Sequence, residues 1–224
     1  MNYPEDFINK VIQGDCLKVM KDIPDNSVDL VLTDPPYGIE YKRHIPYPRY
    51  EKIDNDNNLD WLPLVIKEMY RVLYERGNMY MFCNWQNVDI FKTEISKHFT
   101  IRNMLIWNKG GGGMGDLKTT YGSVYEICFF ANKKPSKLNG RRDNDVINLS
   151  RSGNKFHPTE KPISLIGYLI RKSSNESDLI LDPFLGSGTT AVAAKQLNRN
   201  FIGIEISPEY CKIANERLRV ETLL

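Results

Sequence analysis

Leu179-Ile180-Leu181-Asp182-Pro183-Phe184-Leu185-Gly186-Ser187-Gly188-Thr189-Thr190 decides how the rest of the chain is read. Leu179 to Asp182 has the length and apolar content of a buried strand, and Ala191 to Leu197 has a helical pattern. Between them lies a turn with glycines at 186 and 188. Strand, glycine turn and helix in succession let a ligand approach backbone amides at a helix N-terminus. A phosphate-gripping loop of the Walker type is excluded, because no lysine precedes Thr189. Beyond the helix, Phe201-Ile202-Gly203-Ile204 is a second strand pattern that ends in Glu205, 19 residues after Gly186. An acidic residue at about that distance is where a ribose hydroxyl pair would be held. The spacing fits a nucleoside cofactor but is short of the full dinucleotide fingerprint.

Toward the N-terminus, Val28-Asp29-Leu30-Val31-Leu32-Thr33 is another buried-strand pattern, entered from a turn-like Pro24-Asp25-Asn26-Ser27. It runs into Asp34-Pro35-Pro36-Tyr37. Neither proline can donate to a ladder and each fixes its own φ, so the strand stops in a stiff turn. That turn presents a carboxylate, carbonyl acceptors and an aromatic ring, which together suit a planar amine. A proline-stiffened turn with a capping Asp is the bland alternative.

These two motifs resemble those of the S-adenosylmethionine-dependent DNA amino-methyltransferases. Thr33 to Gly38 looks like the family's catalytic motif and Asp182 to Thr190 like its cofactor motif. The catalytic motif comes first, which is the circularly permuted order of the β class. His157-Pro158-Thr159-Glu160-Lys161-Pro162 is similar to the family segment beside the cofactor's methionine. Gly14-Asp15-Cys16-Leu17 resembles its adenine-side contact.

The resemblance implies S-adenosyl-L-methionine as cofactor and DNA as partner. Asp34 and the Pro35 carbonyl would accept the two hydrogens of a base amine, with Pro36 stiffening the turn and Tyr37 stacking on a flipped base. Asp15, with Cys16 beside it, would accept from the cofactor's adenine amine. Phe184 would pack on adenine or ribose, and Gly186 and Gly188 would allow close approach in a turn completed by Asp182, Ser187 and Thr189. Glu205 would take the ribose hydroxyls, and Lys161 and Pro162 would line the methionine end. Strand-end cap for Asp15 and solvated cation for Lys161 are the alternatives. In the family an Asp at the position of Asp34 leans toward adenine and a Ser toward cytosine, so N6-adenine methylation is expected ahead of N4-cytosine. A catalytically silent DNA-binding module would have no need of Asp34 or the intact turn. Cys83 follows a strand without a Pro-Cys turn, so it reads as a core thiol and not as the nucleophile of carbon-5 methylation.

Alternating strand and helix patterns fill the chain. Strands are expected at 11–13, 28–32, 79–82, 104–107, 125–131, 179–181 and 201–206, and helices at 59–75, 86–98, 163–173, 189–197 and 208–221. The expected fold is a seven-stranded, mostly parallel, circularly permuted Rossmann-like α/β sheet covered on both faces. A single domain of 224 residues would comprise a catalytic half (1–132), a short target-recognition segment (133–156) and a cofactor half (157–224). No apolar run approaches membrane-span length, and the N-terminus lacks the layout of a secretory signal. Scattered Cys16, Cys83, Cys128 and Cys211 read as reduced thiols with no metal site, and the expected location is cytoplasmic.

Net charge is only +2, so a DNA-binding surface requires local segregation of charge. Residues 133–156 carry seven cations, Arg141, Arg142 and Arg151 among them, against Asp143 and Asp145. A second basic and aromatic stretch follows the catalytic motif: Tyr41-Lys42-Arg43-His44 and Tyr47-Pro48-Arg49-Tyr50. A segment as short as 133–156 is expected to be a loop braced on the sheet. It would read few bases, unless a second subunit in a homodimer widens the footprint.

Overall fold

The computed structural model describes residues 1–38, 58–111, 118–151 and 160–220. Its strands are β1 (Lys10–Gln13), β2 (Val28–Thr33), β3 (Leu73–Cys83), β4 (Thr100–Asn108), β5 (Tyr125–Asn132), β6 (Val146–Asn148), β7 (Leu179–Asp182) and β8 (Asn200–Glu205). Its helices are α1 (Cys16–Val19), α2 (Leu62–Val72), α3 (Val88–Ser96), α4 (Ile163–Ser173), α5 (Thr189–Gln196) and α6 (Pro208–Val220). All the strands lie in one sheet, in the order β1-β8-β7-β2-β3-β5-β4-β6. Among the described residues only β5 runs against its neighbours.

Successive side chains of a strand point to opposite faces, and both faces of this sheet are covered. From β2, Val31 joins Met79, Met81, Leu62, Val65, Ile66 and Met69 on one face. Leu30 and Leu32 join Tyr80, Phe82, Leu165, Leu169 and Ile170 on the other. The buried residues of α2 recur at helical spacing, and Pro63 sits in its first turn, where its missing N–H is no loss.

The connection from β2 to β3 leaves over one face through α2, and that from β7 to β8 leaves over the other through α5. Neighbouring β2 and β7 therefore flank a topological switch point, where open α/β sheets hold their ligands beyond the strands' carboxyl ends. The expected permutation takes a concrete form: the last two strands insert between the first two.

Three details depart from the expected elements. The sheet has eight strands and not seven, because Val146-Ile147-Asn148 adds to the β4 edge. Three residues between polar flanks are too few to show strand periodicity. The strand expected from Met79 begins at Leu73, directly after α2, but its ladder breaks between Leu73 and Asn78, leaving Tyr74 exposed. That interruption hides its start in the sequence. Asp15 also caps a single helical turn, α1, accepting from the Leu17 amide at 2.9 Å.

Residues 133–145 cross the end of the sheet opposite the switch point. Asn132 pairs with Asn78 near the start of β3, and Lys134 meets Glu75 at 2.8 Å. Asn139 donates to carbonyls of Arg171 and Ser174 at the far end of α4. These residues are thus braced on the sheet, and among the described residues β6 carries the chain back toward the switch point. Among the described residues no helix is long and apolar enough to cross a membrane.

Candidate active site

Asp34 leaves the end of β2 beside the end of β7. Thr33 Oγ1 donates to Asp182 Oδ1 at 2.9 Å and so ties the two motif-bearing strands together. Asp34 keeps 26% of its side-chain surface exposed. The Tyr37 hydroxyl donates to its Oδ1 and the Lys161 ammonium to its Oδ2. Burial raises the Asp34 carboxyl above the ordinary range while Lys161 opposes that rise. Burial and the Asp34 charge also push the Tyr37 hydroxyl well up, so it stays a donor. Asn87, in the 3-10 turn after β3, donates to the Tyr37 carbonyl at 2.6 Å and braces the turn from below. Pro35 is buried and Pro36 half-buried.

Lys161 is not a solvated cation. It is 5% exposed, lies 3.0 Å from Glu126 Oε2, and sits 5.0 Å from the centroid of the Phe82 ring. The two carboxylates beside it hold its ammonium charged against the cost of burial. Glu126 also meets Lys109 at 3.0 Å. Pro162, buried next in sequence, precedes α4.

The cofactor-motif residues fall into two layers. Phe184 and Gly186 are half-buried at the surface of the turn, and Phe184 packs against Trp61 with ring centroids 5.0 Å apart. Gly186 has a φ of +56°, and a Cβ there would meet nothing within 4 Å, which leaves room for a ligand against its backbone. Gly188, at φ +93°, packs so closely on Ala214 that a Cβ would clash at 2.8 Å. Beneath the turn, Asp182 accepts from the Phe184 amide at 3.1 Å, and burial pushes its carboxyl up to about 7. Ser187 and Thr189 are buried as well, held by Arg217 from α6 at 3.1 and 3.3 Å. Arg217 also pairs with Glu160 at 3.0 Å.

Glu205, at the end of β8, accepts from the Gly186 amide and the Ser207 amide, both at 2.8 Å. Asp15 and Cys16 follow the neighbouring strand β1, which pairs with β8 up to Glu205. Two carboxylates at adjacent strand ends, an aromatic ring and an open glycine backbone lie along one edge of the site. That set fits a nucleoside with an amine and vicinal hydroxyls.

Four residues central to the site carried no motif signal of their own: Glu126, Lys109, Arg217 and Trp61. Two had a usable signature. Arg217 occupies the apolar stripe of α6 with Cys211, Ala214 and Leu218, and Glu126 shares its strand face with buried Cys128 and Phe130. Burial pushes Cys83 up to about 12, so it remains a thiol and no nucleophile. Among the described residues, no group of three or more His, Cys, Asp or Glu side chains is placed to hold a metal ion.

The basic candidates separate. The Arg141 carbonyl accepts from Lys172 in the last turn of α4, at the end of the sheet away from Asp34. Arg142 follows it, facing a cavity of about 460 Å³ shared with Tyr80, Asn103 and Tyr168. The structure does not bring either arginine to the catalytic motif. Arg151 is exposed just beyond β6, on the Asp34 side. Lys42, Arg43 and Arg49 lie outside the described residues, as do His157, Pro158 and Thr159.

Comparison with known proteins agrees with this arrangement. YubD of Escherichia coli K12 is 35% identical over 213 residues, covering 94% of this chain and 90% of that protein. The DNA adenine methyltransferase YhdJ of the same organism is 32% identical, covering 94% and 82%. The crystal structure of the M1.HpyAVI–SAM complex superposes with a TM-score of 0.75 at 27% identity, covering 94% and 99%. A family model described as DNA methylase matches residues 28–216, a span that holds both motifs and the Asp34–Lys161 pair, and the chain therefore belongs to the DNA methylase family.

Proposed function

We propose that this protein methylates the exocyclic amine of a flipped adenine in DNA, with S-adenosyl-L-methionine as donor. The observation that carries the reading is the pair of motifs on adjacent strands, bridged by Thr33 and Asp182, with Asp34 partly exposed above them. The donor supplies an electrophilic methyl group. An exocyclic base amine is a weak nucleophile because its lone pair is delocalised into the ring. Asp34 and the Pro35 carbonyl accept its hydrogens, giving the nitrogen tetrahedral character and freeing its lone pair for in-line attack. The nitrogen–carbon bond forms as the sulfur–carbon bond breaks, and the surplus amine proton leaves through Asp34 to solvent. Rate comes mainly from positioning and electrostatics.

On this reading Glu205 and Asp15 hold the donor's ribose and adenine, with Phe184 and Gly186 against its nucleoside. Arg151 and the basic insert holding Lys42, Arg43 and Arg49 approach the DNA backbone. The segments 1–132, 133–156 and 157–224 act as catalytic half, recognition segment and cofactor half. The setting we infer is the cytoplasm, where DNA and donor are both present. Likeness to the adenine enzyme YhdJ and the Asp at position 34 favour adenine over cytosine-N4.

The experiment expresses the protein in a host without DNA methylases and maps modified bases by single-molecule sequencing. N6-methyladenine at a defined sequence supports the reading. N4-methylcytosine would reassign the base, and unmodified DNA from soluble, folded protein would overturn it.

A further inference from the structure

Glu126 stands at the start of β5, on the catalytic side of the sheet, between two lysines. Its Oε1 accepts from Lys109 Nζ at 3.0 Å and its Oε2 lies 3.0 Å from Lys161 Nζ. Lys161 is in turn bonded to Asp34. Lys109, Glu126, Lys161 and Asp34 thus form a row of alternating charge from the β4–β5 connection to the end of β2. Lys161 is almost wholly buried and its ammonium lies between the two carboxylates, so an N–H directed at Glu126 is not directed at Asp34.

We propose that Glu126 is a positioning residue for methyl transfer: it holds back the Lys161 ammonium so that Asp34 remains a strong acceptor for the target amine. The inference rests on the assignment of Asp34 to that amine. Without Glu126, Asp34 loses the anion that helps keep it basic, and the ammonium is free to close on Asp34 and compete with the base amine for the same oxygen. Electrostatic coupling of this kind is strong where water is excluded.

The groups facing the Asp34–Lys161 pair are Tyr37 after β2, Cys83 on β3, Lys109 after β4, Glu126 and Cys128 on β5, and Asp182 on β7. Tyr37, Cys83 and Cys128 are raised by burial and stay neutral. Asp182 is present in all the variants below and the charged neighbour that raises it is Asp34, so wild type, Glu126→Gln and Lys109→Met share one Asp182 background.

The test is the single-turnover rate of methyl transfer against pH, with S-adenosylmethionine and DNA from a methylase-free host. Wild type, Glu126→Gln, Lys109→Met and Asp34→Asn are compared, each checked by thermal denaturation. Glu126→Gln is expected to slow transfer roughly 10- to 100-fold, the scale of one charged hydrogen bond. Half-saturating concentrations of both substrates should stay within about twofold. Its acid limb should move to lower pH, because Asp34 loses an anionic neighbour while Lys161 stays beside it. Lys109→Met should move the limb the other way, since Glu126 then draws on Lys161 alone. A merely structural role for Glu126 does not give opposite shifts. An unchanged rate and acid limb in Glu126→Gln, or shifts of the same sign in both variants, overturns the proposal. Should Glu126→Gln fail to fold, Lys109→Met decides: an upward shift supports the proposal and an unmoved limb overturns it. Full activity in Asp34→Asn would instead sink the assignment of Asp34, a separate failure.

Discussion

Asp34 carries two donors on its carboxylate and still reaches solvent, so replacing it separates binding from chemistry. Asp34→Ala is expected to abolish methyl transfer while cofactor affinity stays within about twofold, measured by calorimetry beside tritiated-methyl incorporation. Asp182 makes a different residue-scale prediction. Its carboxyl is pushed up to about 7 by burial, whereas in the unfolded chain it titrates in the ordinary range. Between those values the folded protein keeps a proton that the unfolded chain has released, so stability falls as pH rises through that window. Thr33 and the Phe184 amide donate to one oxygen, Oδ1, which an asparagine retains, and the Thr190 hydroxyl that also bonds this carboxylate can turn to accept from an amide. Asp182→Asn should therefore flatten this part of the pH dependence, with a Tm above wild type at pH 8 in thermal denaturation. At this scale the sequence was informative where chemistry is local: Asp34 and Glu205 announce themselves at strand ends. The partner of Lys161 was not legible, because the two residues are 127 positions apart and only the fold joins them.

Helix α6 shows how an element far from the chemistry shapes the site. Arg217 reaches from it to the Ser187 carbonyl at 3.0 Å, to the Ser187 and Thr189 hydroxyls, and to Glu160. Glu160 and Lys161 are neighbours, so one short segment is fastened to the glycine turn through Arg217 and to Asp34 directly. Arg217→Ala removes one partner of a buried ion pair, and about 3–5 kcal/mol of stability should go with it. Cofactor affinity should fall too, since the turn loses its anchor; denaturant unfolding and calorimetry read the two effects. Most elements were legible from periodicity, because helices α2, α4 and α6 and the central strands bury one face or both. Strand β6 was not, since three residues carry no period, and its place is set by the β4 edge it joins.

Across the whole molecule, Arg141 and Arg142 lie at one end of the sheet and Arg151 at the other. Replacing Arg141 and Arg142 together by Ala should leave the set of methylated sites unchanged. Arg151→Ala should weaken binding to all sites alike and reduce the salt slope by about one. Filter binding over a salt series, with methylation mapping, checks both outcomes. The order of the strands has one more effect, on how the protein is made. Asn9, just before β1, accepts from the Phe201 amide on β8 across 192 residues of chain. At a synthesis rate of about 5–20 residues per second, roughly 10–40 s separate the appearance of the two strands at the ribosome. Throughout that interval β1 lacks its neighbour, and for most of it β2 lacks β7, leaving apolar edges open to other chains. Elongation speed and early chaperone capture therefore bear directly on how much of this enzyme reaches its native state.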